Sequence, residues 1–384
     1  MLFPLNPNTP QCRVFEVLNN ELLHFLRAAI LANSFNQGLF SQYQYDGQQK
    51  RSVCWLNKPT KEKFQALWLV LDPLEQQTRR ELFELVQNSQ DITAYFDDLV
   101  TPLPELEDDL FEALKSLTSH LFTSTKDLSG AKQQADSSIE RHFQEFRREN
   151  SNSQLCFLCG TSLLSQDRAN LDDDEQWRAD YDHVLCKDKY PIYTAHPGNF
   201  IPTCHICNSK AKGAKNVLIG PQERRRAAFY PLPPSQESCH QYAHIEPIFR
   251  GLAELHGGDW QDPIASASIS FPTAPPDIIA KISVWKEVYQ VPSRVEEYVI
   301  THFCERLAGD LLLTYQDEFD EFLRQLQRAA RVPLDVKMTE WRFWLNRLYI
   351  FLNGQNEDYL QNIWPLLQWK LSLAKEEDMV ATFG

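Results

Sequence analysis

The sequence predicts an α-rich α+β fold in which a small cysteine-rich centre lies between two helical regions. Two observations support this. Apolar residues recur at helical spacing on both sides of the centre, and two Cys-x-x-Cys pairs stand near the middle of the chain. At 384 residues, 43% of them hydrophobic, the chain is long enough for sizeable apolar cores. We expect a helical region over residues 1–150, a cysteine-rich module over 151–220, and a mostly helical region over 221–384.

The first region carries several helical patterns. Apolar residues repeat with a helical period from Leu18 to Ile30 and from Phe64 to Leu71. After Pro104, acidic residues typical of a first helical turn lead into a further apolar series, formed by Leu110, Leu114, Leu117 and Leu121. The polar segment Ser137 to Arg148 predicts a helix that leads into the centre.

The third region begins with a proline-rich stretch that predicts irregular backbone, followed by a short strand near residues 266–271. Thr339 is expected to be the N-cap of a helix that Gly354 ends. Trp341 and Trp344 share a face of this helix. They have the spacing of core residues, which favours packing over a base-stacking role.

Charge and composition exclude few classes of function. The formal net charge is −14, which argues against a nucleic-acid partner because phosphate contacts need cations. The charge is unevenly distributed, however. Residues 97–112 hold seven acids and no base, whereas residues 183–226 hold eight bases and two acids. A local basic stripe can still bind phosphate. No signal peptide or apolar membrane span is evident, and we expect a cytoplasmic protein.

Four of the nine cysteines form two closely spaced pairs, Cys156 with Cys159 and Cys204 with Cys207. Each pair can offer two thiolates to one tetrahedral ion, and together the pairs complete the coordination shell. The pattern predicts structural Zn²⁺, since four sulfurs leave no position open for water. Cys186 lies between the pairs and is expected to be buried without binding the metal.

The 44 residues between the pairs contain groups suited to phosphodiester hydrolysis. Hydrolysis needs a base that deprotonates water and a cation that neutralises phosphate charge. His183 suits the base because imidazole titrates near neutrality. The carboxylate of Asp182 and the amide oxygen of Asn208 are hard ligands suited to Mg²⁺ or Mn²⁺. If His183 ends one strand of a hairpin and Asn208 begins the helix after the second, both face one cleft.

Cations follow the last cysteine directly. Lys210 and Lys212 lie near the expected start of that helix, a place where phosphate binds readily. The run Arg224 to Arg226 is either a second phosphate contact or a solvated turn.

The Asp-His pair, the central Asn199, the Pro-x-Cys-x-x-Cys-Asn run and the lysine after it resemble the HNH endonucleases of the ββα-metal fold, in their zinc-knuckle subtype. The resemblance covers about residues 156–215. It implies a metal-dependent endonuclease, with DNA favoured over RNA, in which Asn199 hydrogen-bonds across the loop and orients the site. It differs at the third signature position, often His, which is Asn208 here. An amide oxygen can also hold a hard cation.

A narrower resemblance, carried by Lys189-Tyr190-Pro191 and by the Asn-x-x-Pro-x-Cys-x-x-Cys-Asn run, is to HNH effectors of bacterial anti-phage systems of the Septu and retron-associated kind. It implies control by a partner protein such as an ATPase. Two alternatives stay open. One is a zinc-dependent module that binds nucleic acid or protein without catalysis, and the other is a nuclease subunit that is silent until a partner arrives.

Overall fold

The computed structural model describes residues 1–166, 168–250, 264–314, 316–333 and 335–383. Within these ranges the protein is rich in α-helix and contains three antiparallel sheets of two strands each. None of the described helices combines the length and apolarity needed to cross a membrane.

The first 150 residues form helices around one short hairpin. In chain order the elements are α1 (Arg13–Ala29), β1 (Gln42–Tyr45), β2 (Gln48–Arg51), α2 (Val53–Leu56), α3 (Lys58–Leu71), α4 (Gln76–Asn88), α5 (Ala94–Asp97), α6 (Asp108–Thr123), α7 (Ser129–Ala135) and α8 (Ile139–Glu149). The predicted acidic first turn belongs to α6, which begins at Asp108. Ser138 caps α8 by accepting a hydrogen bond from the backbone of Arg141.

The centre contains β3 (Asp180–His183) and β4 (Phe200–Thr203), which pair antiparallel with Asp180 opposite Thr203 and His183 opposite Phe200. A π-helix, Ile206–Lys212, follows β4 directly. The centre is therefore a hairpin followed by a short helical segment. The first Cys pair precedes β3 in the chain, and the second lies where β4 passes into the π-helix.

The last region contains β5 (His244–Phe249), β6 (Ile264–Ser270), α9 (Pro276–Tyr289), α10 (Val291–Asp310), α11 (Phe319–Ala329), α12 (Arg342–Asn353) and α13 (Glu357–Phe383). The strand predicted near residues 266–271 is present as β6. Gly354 is the C-cap of α12 as predicted, but the predicted N-cap was wrong. Trp341 holds that position, and the Thr339 hydroxyl donates to Asp335 instead.

One hydrophobic cluster of buried residues includes members of all three regions. The centre is not packed by its own side chains alone. The indole of Trp285, on α9, and that of Trp344, on α12, are both buried and both donate to its backbone. Trp344 is thus a core residue, as its helical spacing predicted.

Candidate metal centre and the adjacent cleft

The four paired cysteines come together although 44 residues separate the pairs. Their sulfur atoms all lie within 4.8 Å of one another, and all four residues are buried. Four thiols at this spacing match the donor set and the size of a tetrahedral zinc site. The cluster can therefore hold a metal such as zinc, as the sequence predicted.

Polar groups donate hydrogen bonds to two of the sulfurs, and the pKa shifts differ within the cluster: hydrogen bonds with the other three cysteines raise the pKa of Cys207 well above its usual value. Thr161 donates to the Cys159 sulfur from its backbone nitrogen at 3.4 Å and from its hydroxyl at 3.2 Å. The Arg294 guanidinium, on α10, donates to the Cys207 sulfur at 3.3 Å. Burial opposes ionisation of Cys159, but hydrogen bonds with the other three cysteines outweigh it and lower the pKa of this thiol well below its usual value. A low thiol pKa supplies the thiolate that metals bind.

The first cysteine pair needs a glycine next to it. Gly160 has a φ of +68°, and a Cβ on it would lie 2.7 Å from the Leu2 side chain. Only glycine adopts this backbone conformation without strain and leaves room for Leu2.

Asn199 ties the loop of the hairpin together. It is fully buried, and its side-chain oxygen accepts from the Leu185 backbone at 2.6 Å. Its side-chain nitrogen donates to the carbonyl oxygens of Leu185 at 3.1 Å and Tyr193 at 2.9 Å. The amide is thus used completely within the loop, and it fixes the backbone that follows His183.

His183 ends β3 and is 8% exposed. Its Nε2 lies 3.3 Å from the carbonyl oxygen of Thr194. Because a carbonyl only accepts, Nε2 carries the hydrogen and Nδ1 carries the lone pair. Burial, with Lys212 and Lys187 nearby, lowers the pKa of His183 to about 3. The imidazole is therefore neutral at physiological pH and able to accept a proton, but burial makes it a weaker base than the near-neutral imidazole that the sequence predicted.

Asp182 forms a buried ion pair with Lys212. Lys212 Nζ donates to one carboxylate oxygen at 2.8 Å and to the backbone carbonyl of His183 at 2.6 Å. The hydroxyl of Tyr289, the last residue of α9, donates to the other oxygen at 3.3 Å. Burial raises the pKa of Asp182, and Lys212 and Tyr289 act against that rise.

This ion pair corrects the prediction that Lys212 binds substrate. The Lys212 side chain is 1% exposed, so it does not meet a phosphate at the surface. Residues two apart on a helix do not share a face, and Lys210 is exposed whereas Lys212 points inward. Of these two lysines, only Lys210 is placed to contact a phosphate.

A cleft of about 320 Å³ opens beside the hairpin. Asn208, which is partly exposed, lies in its wall together with Asp180 and Tyr181 of β3. The rest of the lining comes from α1, α6 and α8 and the segment after α6. It includes Phe122, whose ring centre is 4.4 Å from that of His183, whereas His183 itself is not among the lining residues. The cations in the lining are Lys126 and Arg178. Sequence analysis did not predict a role for either residue, because the cleft forms only where segments distant in the chain pack together.

The donors for a catalytic cation fit less well than those for zinc. Asn208 lines the cleft, but both oxygens of Asp182 are engaged by Lys212 and Tyr289. In this conformation Asp182 and Asn208 do not form the predicted Mg²⁺ or Mn²⁺ pair. Of the arginine run, Arg225 donates to the carbonyl oxygens of Tyr95 and Asp98, so this side chain is structural.

Comparison with protein families, with curated proteins and with solved structures gives no significant match for the chain. A function for this protein must therefore be inferred from the geometry of the hairpin, the cysteine cluster and the cleft.

Proposed function

We propose that the protein is an HNH-type endonuclease, which hydrolyses phosphodiester bonds in nucleic acid at the cleft beside the hairpin. One observation carries the proposal. A neutral imidazole, oriented by a backbone carbonyl, ends the first strand of a hairpin, and Cys204, Cys207 and Asn208 directly follow its second strand. A protein that only binds nucleic acid has no need for this arrangement.

His183 is the general base. Nε2–H donates to Thr194, which leaves Nδ1 to take a proton from water. As the water oxygen bonds to phosphorus, the bond from phosphorus to the leaving oxygen breaks, and that oxygen takes up a proton from solvent. The proton stays on Nδ1 until solvent removes it, which the low proton affinity of this buried imidazole favours.

The remaining residues orient and bind. Asn199 keeps the loop after His183 in one conformation. Asn208 offers an amide to the substrate phosphate or to a cation in the cleft, and Lys210 attracts phosphate from the exposed side of the π-helix.

Two kinds of metal belong to the proposal. Zn²⁺ held by Cys156, Cys159, Cys204 and Cys207 is structural. A divalent cation such as Mg²⁺ or Mn²⁺ neutralises phosphate charge when it is bound. Asp182 contributes to such a site only if its ion pair with Lys212 opens, so we derive no step through it.

The test is cleavage of plasmid DNA and of RNA by the purified protein, with Mg²⁺, Mn²⁺ or EDTA. We expect cleavage that needs the added cation. Loss of a general base costs about a hundredfold to ten-thousandfold in rate. The variant His183→Ala should therefore lose detectable cleavage but keep its zinc and fold. His302→Ala, which removes a partly exposed imidazole on α10, is the control and should cleave normally. Near-native cleavage by His183→Ala would overturn the mechanism.

The engaged carboxylate of Asp182 favours a second candidate, a zinc-braced module that binds nucleic acid without cutting it. Binding by wild type and His183→Ala alike, with no cleavage of any substrate, would decide for it. Activity that appears only after a partner such as an ATPase is added would instead support an anti-phage effector.

A further inference from the structure

Phe122, in the last turn of α6, is an aromatic residue beside the proposed general base. Its ring stacks on Phe200 with centres 5.5 Å apart and on Phe15 with centres 5.7 Å apart. The same ring meets His183 at 61° to its plane. These neighbours hold it in one orientation, yet it is partly exposed and lines the cleft.

Two cations lie near this ring, one of them on the exposed side of the protein. The ammonium groups of Lys126 and Lys187 each lie 5.8 Å from its centre. Lys126 is paired with Asp127 and largely buried, whereas Lys187 is partly exposed. The guanidinium of Arg178 lines the same cleft. A rigid aromatic ring flanked by cations is the combination with which proteins hold single strands, because bases stack on the ring and phosphates meet the charges.

The position of the ring also restricts the form of the substrate. In a duplex each base is covered on both faces by its neighbours, so a protein ring stacks on a base only after that base has left the stack. The cleft, about 320 Å³ and walled by helices on one side and the hairpin on the other, is in the size range of small-ligand sites. This volume suits one nucleotide rather than a double helix.

We propose that Phe122 stacks an unpaired base of the substrate beside His183, and that the substrate class of this cleft is single-stranded nucleic acid. The inference rests on the proposed function, because His183 would then act on the phosphate next to the stacked base. Lys187 contacts the strand on the exposed side of the ring.

The test is the binding of a short fluorescent DNA strand, of an RNA strand of the same sequence, and of the matching DNA duplex. Affinities are measured by anisotropy without added Mg²⁺ or Mn²⁺. Wild type should bind at least one of the single strands about tenfold more tightly than the duplex. Loss of one base–aromatic contact corresponds to about a tenfold loss of affinity. Phe122→Leu should lose the preference for a single strand, and Phe122→Tyr should keep it because the aromatic ring is retained.

Phe111→Leu is the matched control. Phe111 lies on the same helix and is partly exposed, with the Lys115 ammonium 5.8 Å from its ring, but it lines a different groove. We expect Phe111→Leu to bind the single strands and the duplex with wild-type affinity. Circular dichroism and zinc content of each variant establish that the fold is intact.

The outcomes separate the two proposals. Equal affinity for strand and duplex, or an unchanged preference in folded Phe122→Leu, would overturn the stacking site even if the protein cleaves. A protein that binds strands through Phe122 but never cleaves them would refute the hydrolysis and leave the stacking site intact.

Discussion

Asp182 and Lys212 form a buried pair of opposite charges, and each charge stabilises the other. Both side chains are nearly inaccessible, and Tyr289 completes the shell of the carboxylate. From the sequence, Asp182 was predicted to bind a metal ion and Lys212 to bind phosphate. The sequence did not reveal that they bind each other, because the pairing requires Lys212 to turn inward at the end of the π-helix.

We predict that Lys212→Met destabilises the protein by about 3 to 5 kcal/mol, because it leaves a buried carboxylate without its counter-charge. The measurement is the free energy of unfolding from urea denaturation. Asp182→Asn/Lys212→Met removes both charges and should recover a large part of the loss. Equal destabilisation by the single and double variants would show that lost packing, rather than the unpaired charge, is responsible.

Lys210→Met serves as the control for that measurement. It removes an exposed ammonium from the same segment, and we expect a change in stability within about 0.5 kcal/mol. Under the proposed function this variant instead weakens phosphate binding.

Among the elements, the cysteine centre was the most predictable from sequence, because each Cys-x-x-Cys pair is local and its ligand chemistry is specific. Helices α1, α3, α6 and α8 were predictable for a similar reason, since their apolar period is read within a few turns. The supports of the centre were not. Arg294, Trp285 and Trp344 come from helices far along the chain, and nothing near them in sequence indicates a metal.

The π-helix explains a further difference. The Gly213 nitrogen donates to the Asn208 carbonyl five residues back, whereas the α-helical period assumes four. A pattern analysis based on that period therefore does not give the register of this segment. Phe122 was not predicted as a functional residue for another reason, since it has the spacing of a core residue of α6.

We predict about one zinc per chain, measured by elemental analysis of purified protein. The variant Cys156→Ser/Cys204→Ser should lose it and unfold locally, because metal binding and folding are linked. Trp344 donates to the Cys159 carbonyl at 2.8 Å and Trp285 to that of Leu158 at 2.9 Å. Zinc loss should therefore also change tryptophan fluorescence.

Cys186→Ser is the control, since Cys186 is buried in the same centre but lies outside the cluster of four sulfurs. It should keep its zinc. Full zinc retention by the double serine variant would remove these cysteines from the ligand set.

At the scale of the whole molecule, buried residues of all three regions share one hydrophobic cluster, so the hairpin and its cleft depend on both helical flanks. The cleft itself combines β3 with α1, α6 and α8, and Tyr289 of α9 reaches Asp182 from the other side. Sequence analysis predicted the three regions but not their contacts, since these join residues that are distant in the chain.

Histidines that are buried or partly buried make the stability of the whole molecule depend on pH. His142 links two regions, with Nδ1 2.6 Å from the Tyr181 hydroxyl and Nε2 3.1 Å from the Pro10 carbonyl. Burial lowers its pKa to about 4. Burial likewise lowers the pKa of His196 and of His240 to about 4. In the unfolded chain these imidazoles take up protons near pH 6.5.

We therefore predict that the free energy of unfolding falls as the pH is lowered from about 6.5 towards 4. The unfolded chain binds protons in this window and the native protein does not, so stability is complete above it and lost through it. For His142 alone the loss is about 3 kcal/mol. Urea denaturation across the window should give a steeper pH dependence for wild type than for His142→Gln, by up to about 1.4 kcal/mol per pH unit. Since zinc release at low pH acts on both proteins alike, parallel slopes for wild type and His142→Gln would mean that His142 is protonated in the native state and that its burial does not control acid unfolding.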